Sequence, residues 1–153
     1  MRALEPWVEQ PLMTFLTESE ARLTLLMTSA GQVVAQHGFT RAVDIMSAAA
    51  LGAAIVSSTE EMARVLGVRP FRALTHQGES HGIFLSAFET PRGRWIGLVV
   101  YGQDTSLGLV QLFFDRMVDE LTQGVPAEGG TKQVLAQDFE SELHSSLRAL
   151  FGR

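Results

Sequence analysis

Cysteine is absent from this chain of 153 residues, which removes disulfides, thiol nucleophiles and thiolate metal sites together. Charge is scarce as well: 19% of residues are charged, and 17 acidic against 12 basic side chains leave a formal net charge of −5. That balance argues against nucleic acid as a main partner, because a phosphate backbone demands clustered basic groups. No polybasic patch offers itself to anionic lipid. No run approaches the ~18 unbroken apolar residues of a membrane span, and no charged leader followed by an apolar core opens the chain. The expectation is a reducing, cytoplasmic setting without membrane insertion.

Signatures of chemistry are missing too. The four histidines, His37, His76, His81 and His144, show no HExxH or comparable ligand spacing. His76 and His81 flank a turn with Glu79 between them, too few ligands for a metal. No serine sits in a G-x-S-x-G elbow. The glycines do not fall in the order that cradles phosphates. Among the arginines, Arg69 and Arg72 bracket Phe71 and Arg92 and Arg94 border a turn; ordinary surface roles are favoured over insertion into a partner's active site. No catalytic residue, no metal and no cofactor are expected, and the chain reads as a binding protein rather than an enzyme.

What is abundant is apolar surface: 46% hydrophobic residues and a mean hydropathy of +0.13. A small domain so rich in apolar side chains often covers some of them with a partner subunit. The length suits one domain with a single core.

The spacing predicts a first helix from near Gln10 to Ser19, with Pro11 in its first turn. Arg22–Thr28 alternates, Leu23, Leu25 and Met27 sharing a face, and Ser29-Ala-Gly31 turns the chain into a returning strand, Gln32–Gln36. Gly31 suits the positive φ of such a turn. A long helix is predicted over Arg41–Leu66, capped by Thr40 and stopped by Gly67. Its bulky stripe, Leu51, Ile55, Met62 and Leu66, reads as the core face and continues unshifted past the capping-box match Ser58-x-x-Glu61. Beside it runs a stripe of small residues, Ala50, Ala54, Ser57 and Ser58 with Glu61. Two readings of that stripe stay open: close approach of another backbone, or a tight seat on the helix's own sheet.

Three strands follow at Phe71–Gln77, His81–Phe88 and Trp95–Tyr101, joined closely enough for an antiparallel meander. A loop leads into a helix over roughly Leu107–Gln123, with Val110, Phe113 or Phe114, Met117 and Leu121 on its core face. Gly124 to Lys132 reads as a flexible linker. Beyond it Leu135, Phe139, Leu143, Leu147 and Leu150 mark one side of a last helix. The domain expectation is 1–123 folded, 124–132 linker and 133–153 a C-terminal amphipathic helix. The fold class is α+β: a five-stranded antiparallel sheet flanked by helices, in the order α-β-β-α-β-β-β-α plus that extra helix.

Several segments, taken in order, resemble the Roadblock / dynein light-chain family. They are the hairpin Leu25-Leu-Met-Thr-Ser-Ala-Gly-Gln-Val-Val-Ala35, the small-residue helix around Ala48–Ser58, His76-Gln-Gly-Glu79 and Thr105-Ser-Leu-Gly108. The last opens the run to Leu121 that follows the apolar strand Trp95–Tyr101. The turn at His76 and the extra C-terminal helix are similar to the bacterial members that regulate polarity and gliding.

The resemblance implies a homodimer in which paired long helices lie side by side and third strands join, placing Leu51, Ile55, Phe71, Ala73 and Thr75 at the dimer interface. It further implies activation of a Ras-like small GTPase bound over Ala50, Ala54, Ser57, Ser58 and Glu61, without an inserted arginine. A regulatory contact would fall to Phe139, Leu143, Leu147 and Leu150. Thr28 departs from the family's usual aspartate and leaves the turn a weaker hydroxyl bond; Ser57 and Glu61 are more polar than the alanine-rich surface of near relatives. The alternatives are a scaffold that positions a GTPase or other partner without changing its hydrolysis, and a small-ligand sensor of profilin-like shape.

Overall fold

The computed structural model describes residues 6–124 and Arg148. Two compact units divide the chain, Met1–Thr122 and Gln123–Arg153. The linker beyond Gly124 and the stripe residues Leu135, Phe139, Leu143, Leu147 and Leu150 lie outside the described residues. The elements are α1 (Pro6–Ser19), β1 (Leu23–Thr28), β2 (Val33–His37), α2 (Ala42–Leu66), β3 (Leu74–Gln77), β4 (Gly82–Thr90), β5 (Gly93–Tyr101) and α3 (Leu107–Gln123). All five strands join one antiparallel sheet in the order β2-β1-β5-β4-β3. The α+β class and the order of elements through α3 are as the sequence predicts.

The central strands are apolar on both faces because both faces are covered. Leu25 and Met27 of β1, Leu85 of β4 and Ile96 and Leu98 of β5 form one core layer with Ala49, Ala53 and Val56 of α2. On the opposite face, rings from α1, α3 and the sheet interlock. Phe114 of α3 meets Phe15, Phe84 and Phe88 edge-on at 6.0, 5.1 and 5.7 Å. Trp7 of α1 stacks on Trp95 at 5.5 Å, and the Arg92 guanidinium lies 5.0 Å from the Trp7 ring. Edge-to-face and offset pairs of this kind each add about 0.5–1.5 kcal/mol beyond their buried area. That clustering explains why α1 starts at Pro6 rather than near Gln10: burial of Trp7 and Val8 outweighs the backbone bond that Pro11 cannot make. The buried face of α3 is Val110, Phe114, Met117 and Leu121, which selects Phe114 over Phe113.

The hairpin between β1 and β2 closes as its residues demand. Gly31 takes a φ of 87°, and the Gln32 amide donates to Thr28 Oγ1 at 3.1 Å. A threonine hydroxyl thus holds the turn where the resemblance would place an aspartate. At the other end of α2, Gly67 adopts the left-handed conformation; its amide donates to the Arg64 carbonyl and that of Val68 to the Ala63 carbonyl, at 3.2 and 3.0 Å. Thr40 does not cap the helix. Arg41 occupies the N-cap position without a side-chain bond, and Thr40 lies one residue too early to reach the first free amides.

Strand β3 also starts later than expected, at Leu74 rather than Phe71. The chain bends at Arg72, whose carbonyl accepts a hydrogen bond from Ser86 Oγ at 2.9 Å.

Candidate interaction surface

The largest correction concerns α2. Its predicted core stripe is not in the core: Leu51, Met62 and Leu66 are 65%, 57% and 63% exposed, while Ile55 is half-buried. The residues that face the sheet are Ala49, Gly52, Ala53, Val56 and Ala63. Their small size brings the helix axis close to the strands. A Cβ at Gly52 would stand 3.2 Å from Met27 Cε and 3.3 Å from Leu98 Cδ1, so even one methyl group is tight there. The helix therefore has a small-residue inner face and a bulky outer one, the reverse of the sequence reading.

Both stripes of interest lie outside. Ala50, Ala54, Ser57 and Ser58 are exposed, as is Glu61. The stripe is therefore no seat on the sheet, since a separate set of small residues fills that role. Val43, Met46 and Val65 add apolar area to the same outer surface. By length and composition alone α2 would suffice to cross a bilayer, yet its Gly52 flank is committed to the sheet.

Helical spacing orients the stripes. Leu51, Ile55, Met62 and Leu66 share a side of α2 with Thr59. Thr59 lines a shallow, solvent-open cleft together with Phe71, Ala73 and Leu74 at the start of β3, and with Leu85 and Ser86 of β4. The bulky stripe consequently runs along the side of α2 nearest the open edge of the sheet. Phe71, half-exposed, continues the apolar area toward β3. On the helix's other flank, Ala49, Ala50 and Ala53 approach the turn at Gly31.

Charges border this surface rather than interrupt it. Arg94 Nη1 meets Glu60 Oε2 at 2.7 Å beneath the helix, both partners partly exposed. Arg64 binds Glu61 through Nε at 3.1 Å to Oε2, and its Nη2 bonds the other carboxylate oxygen. Arg64 beside it holds the Glu61 carboxyl below the usual carboxylate range, and Glu61 in turn raises Arg64. Arg41 lies 3.9 Å from Asp44 near the helix start. Between Asp44 and Glu60 the helix carries no charge at all.

At the histidine turn His81 has partners of its own. His81 Nε2 lies 3.3 Å from an Arg22 guanidinium nitrogen, and His81 Nδ1 lies 2.9 Å from Ser80 Oγ. No group of three or more metal-binding side chains comes together among the described residues.

A five-stranded antiparallel sheet with α2 on one face and α1 and α3 on the other defines a class of small α+β domains, and a family match narrows it further. Residues 9–90 match the Roadblock/LC7 domain; the chain belongs to that family. Myxococcus xanthus MglB is similar at 26% identity, with a TM-score of 0.66 over 78% of this chain and 96% of that one. The gliding protein MglB of Thermus thermophilus shares the fold at 24% identity and a TM-score of 0.67, over 80% of this chain and 93% of that one. A Roadblock/LC7 domain from Streptomyces avermitilis shares it at 16% identity and a TM-score of 0.64, covering 76% of this chain and 93% of that one. No curated protein matches the chain in sequence.

Proposed function

We propose that this protein is a homodimeric, cytoplasmic regulator of a bacterial Ras-like small GTPase of the MglA type, in processes such as cell polarity and gliding. It acts through the outer surface of α2 and contributes no catalytic group. The observation that carries the reading is the division of that surface into two exposed stripes. The bulky stripe, with Leu51 and Ile55, borders the open edge at β3 and takes the second copy, along with Phe71, Ala73 and Thr75. The small stripe, Ala50, Ala54, Ser57, Ser58 and Glu61, takes the GTPase, since short side chains let a partner backbone come close. Phe139, Leu143, Leu147 and Leu150 belong to the same proposal as a regulatory contact.

The fold supports this reading because the inner face of α2 fully satisfies its own sheet, so the apolar outer surface needs other cover. Arg92 and Arg94 are engaged with Trp7 and Glu60, which fits a regulator that inserts no arginine. Ser57→Arg should abolish GTPase binding in calorimetry while the dimer stays folded; unchanged affinity removes the small stripe from the interface. A GTP turnover assay with and without the protein separates activator from scaffold, because a scaffold gives no acceleration.

A further inference from the structure

We propose that the outer face of α1 and α3 is a second docking surface, and that its occupant is a basic amphipathic helix of another protein. The proposal does not depend on the reading of α2, which lies on the opposite face of the sheet.

Helical spacing groups the exposed side chains of α3. Leu109, Leu112, Phe113 and Arg116 fall at i, i+3, i+4 and i+7 and share one side of the helix. None of them belongs to the buried face of Val110, Phe114, Met117 and Leu121. Leu109 and Leu112 are 45% and 47% exposed, and Phe113 is half-buried. Single exposed leucines are ordinary, but three adjoining apolar side chains form a ridge that water covers poorly.

Charge around this ridge has one sign. The two helices carry five carboxylates, Glu9, Glu18, Asp115, Asp119 and Glu120, against one guanidinium, Arg116. That arginine is already engaged. Its Nη1 lies 3.7 Å from Glu18 Oε2, and its guanidinium carbon lies 5.4 Å from the Phe113 ring centre. Asp115, Asp119 and Glu120 are exposed and form no ion pair among the described residues. Asp115 and Asp119 stand at i and i+4, where like charges destabilise a helix. A cation brought from outside would relieve that repulsion while its apolar neighbours cover the ridge.

The chemistry of the occupant follows by charge and by backbone. Anionic lipid and nucleic acid are repelled, and a second copy would set one acidic margin against another. The faces of α1 and α3 leave no backbone groups free, so a segment docked there must satisfy its own, as a helix does. Entry as a strand at the β2 edge is opposed by a bulge, since pairing with β1 slips between Leu26 and Met27. Apolar residues at i and i+3 or i+4 of the occupant meet Leu109, Leu112 and Phe113. Lysine or arginine on its margin meets Asp115, Asp119 and Glu120.

The probe is a synthetic amphipathic peptide of leucine and lysine, roughly four helical turns long, compared with a leucine/glutamate peptide of the same pattern. Fluorescence anisotropy at low salt measures binding to the full-length protein. The lysine peptide should bind one per chain, and the glutamate peptide should not bind. L109S/L112S should weaken binding at least about tenfold, since both half-exposed leucines lose their cover. D115N/D119N should weaken it roughly three- to tenfold without lowering the melting temperature, and high salt should erase that difference.

Equal binding of the two peptides would overturn the charge argument, and no binding of the lysine peptide would overturn the site. Wild-type affinity in L109S/L112S with unchanged circular dichroism would remove the ridge from the contact. Comparable weakening by Leu51→Ser alone would place the peptide on α2 and likewise refute the proposal.

Discussion

Replacing Leu51 with alanine separates two accounts of α2 that make opposite demands on the folded chain. If Leu51 were a core residue, truncation would open a cavity and cost about 2–5 kcal/mol of folding stability. In the structure it is 65% exposed, and an exposed substitution shifts folding stability by only about 0.5 kcal/mol. In the proposed dimer its value lies in association instead. Covering the exposed part of a leucine contributes about 2 kcal/mol at ~25 cal/mol per Å². A two-fold interface contains the residue twice, so alanine removes about 3–4 kcal/mol, which weakens the dimer by roughly 10²–10³-fold. Sedimentation equilibrium measures the association. Thermal unfolding at a fixed concentration well below the dissociation constant measures the monomer, since linkage makes the melting point of a dimer concentration-dependent. A monomer destabilised by more than about 2 kcal/mol, combined with unaltered association, would refute this account of α2.

Other substitutions probe the rest of the fold. Thr24 is fully buried and its Oγ1 has no hydrogen-bond partner, so Thr24→Val should stabilise the protein by about 1–2 kcal/mol in urea unfolding; destabilisation would mean the hydroxyl is bonded in solution. Gly52→Val drives two methyl groups toward Met27 and Leu98 and should cost about 1–3 kcal/mol, visible as a lowered unfolding midpoint at unchanged slope. The two tryptophans of the chain form the Trp7–Trp95 stack, so detachment of α1 should red-shift essentially all intrinsic emission, and Trp7→Ala should lower stability by about 3–5 kcal/mol. The pair of Glu61 with Arg64 is solvent-exposed. Because the Glu61 pKa is lowered in the folded chain, any stabilisation is present above the carboxylate range and lost as pH falls through the lowered value. Glu61→Gln should therefore leave the melting temperature at pH 7 within about a degree of wild type.

Much of the fold was legible in the chain because its signals are local. Apolar runs bounded by turn residues marked β4 and β5, and Gly67 marked the end of α2 through its positive φ. Inside and outside on α2 were not legible, for a physical reason. Periodicity identifies a buried face when the other faces are polar, and this helix is apolar on almost every side. Size then suggests that the largest residues belong to the core, whereas close approach to a two-sided sheet selects the smallest. The start of β3 was missed for a different reason. Phe71 has strand propensity, but the bend at Arg72 depends on Ser86, fourteen residues away and invisible to any local pattern. Pro11 likewise suggested a late start for α1, because the stack on Trp95 involves a residue far along the chain.

The slip between Leu26 and Met27 has a consequence for assembly size. A ribbon built by adding strands grows for as long as each new end can template another. Under the proposed self-association through β3, a joined pair would present only its two irregular β2 ends. A ladder that ends in such a bulge templates a further strand poorly, so in the proposed dimer growth along the β2 edge is disfavoured.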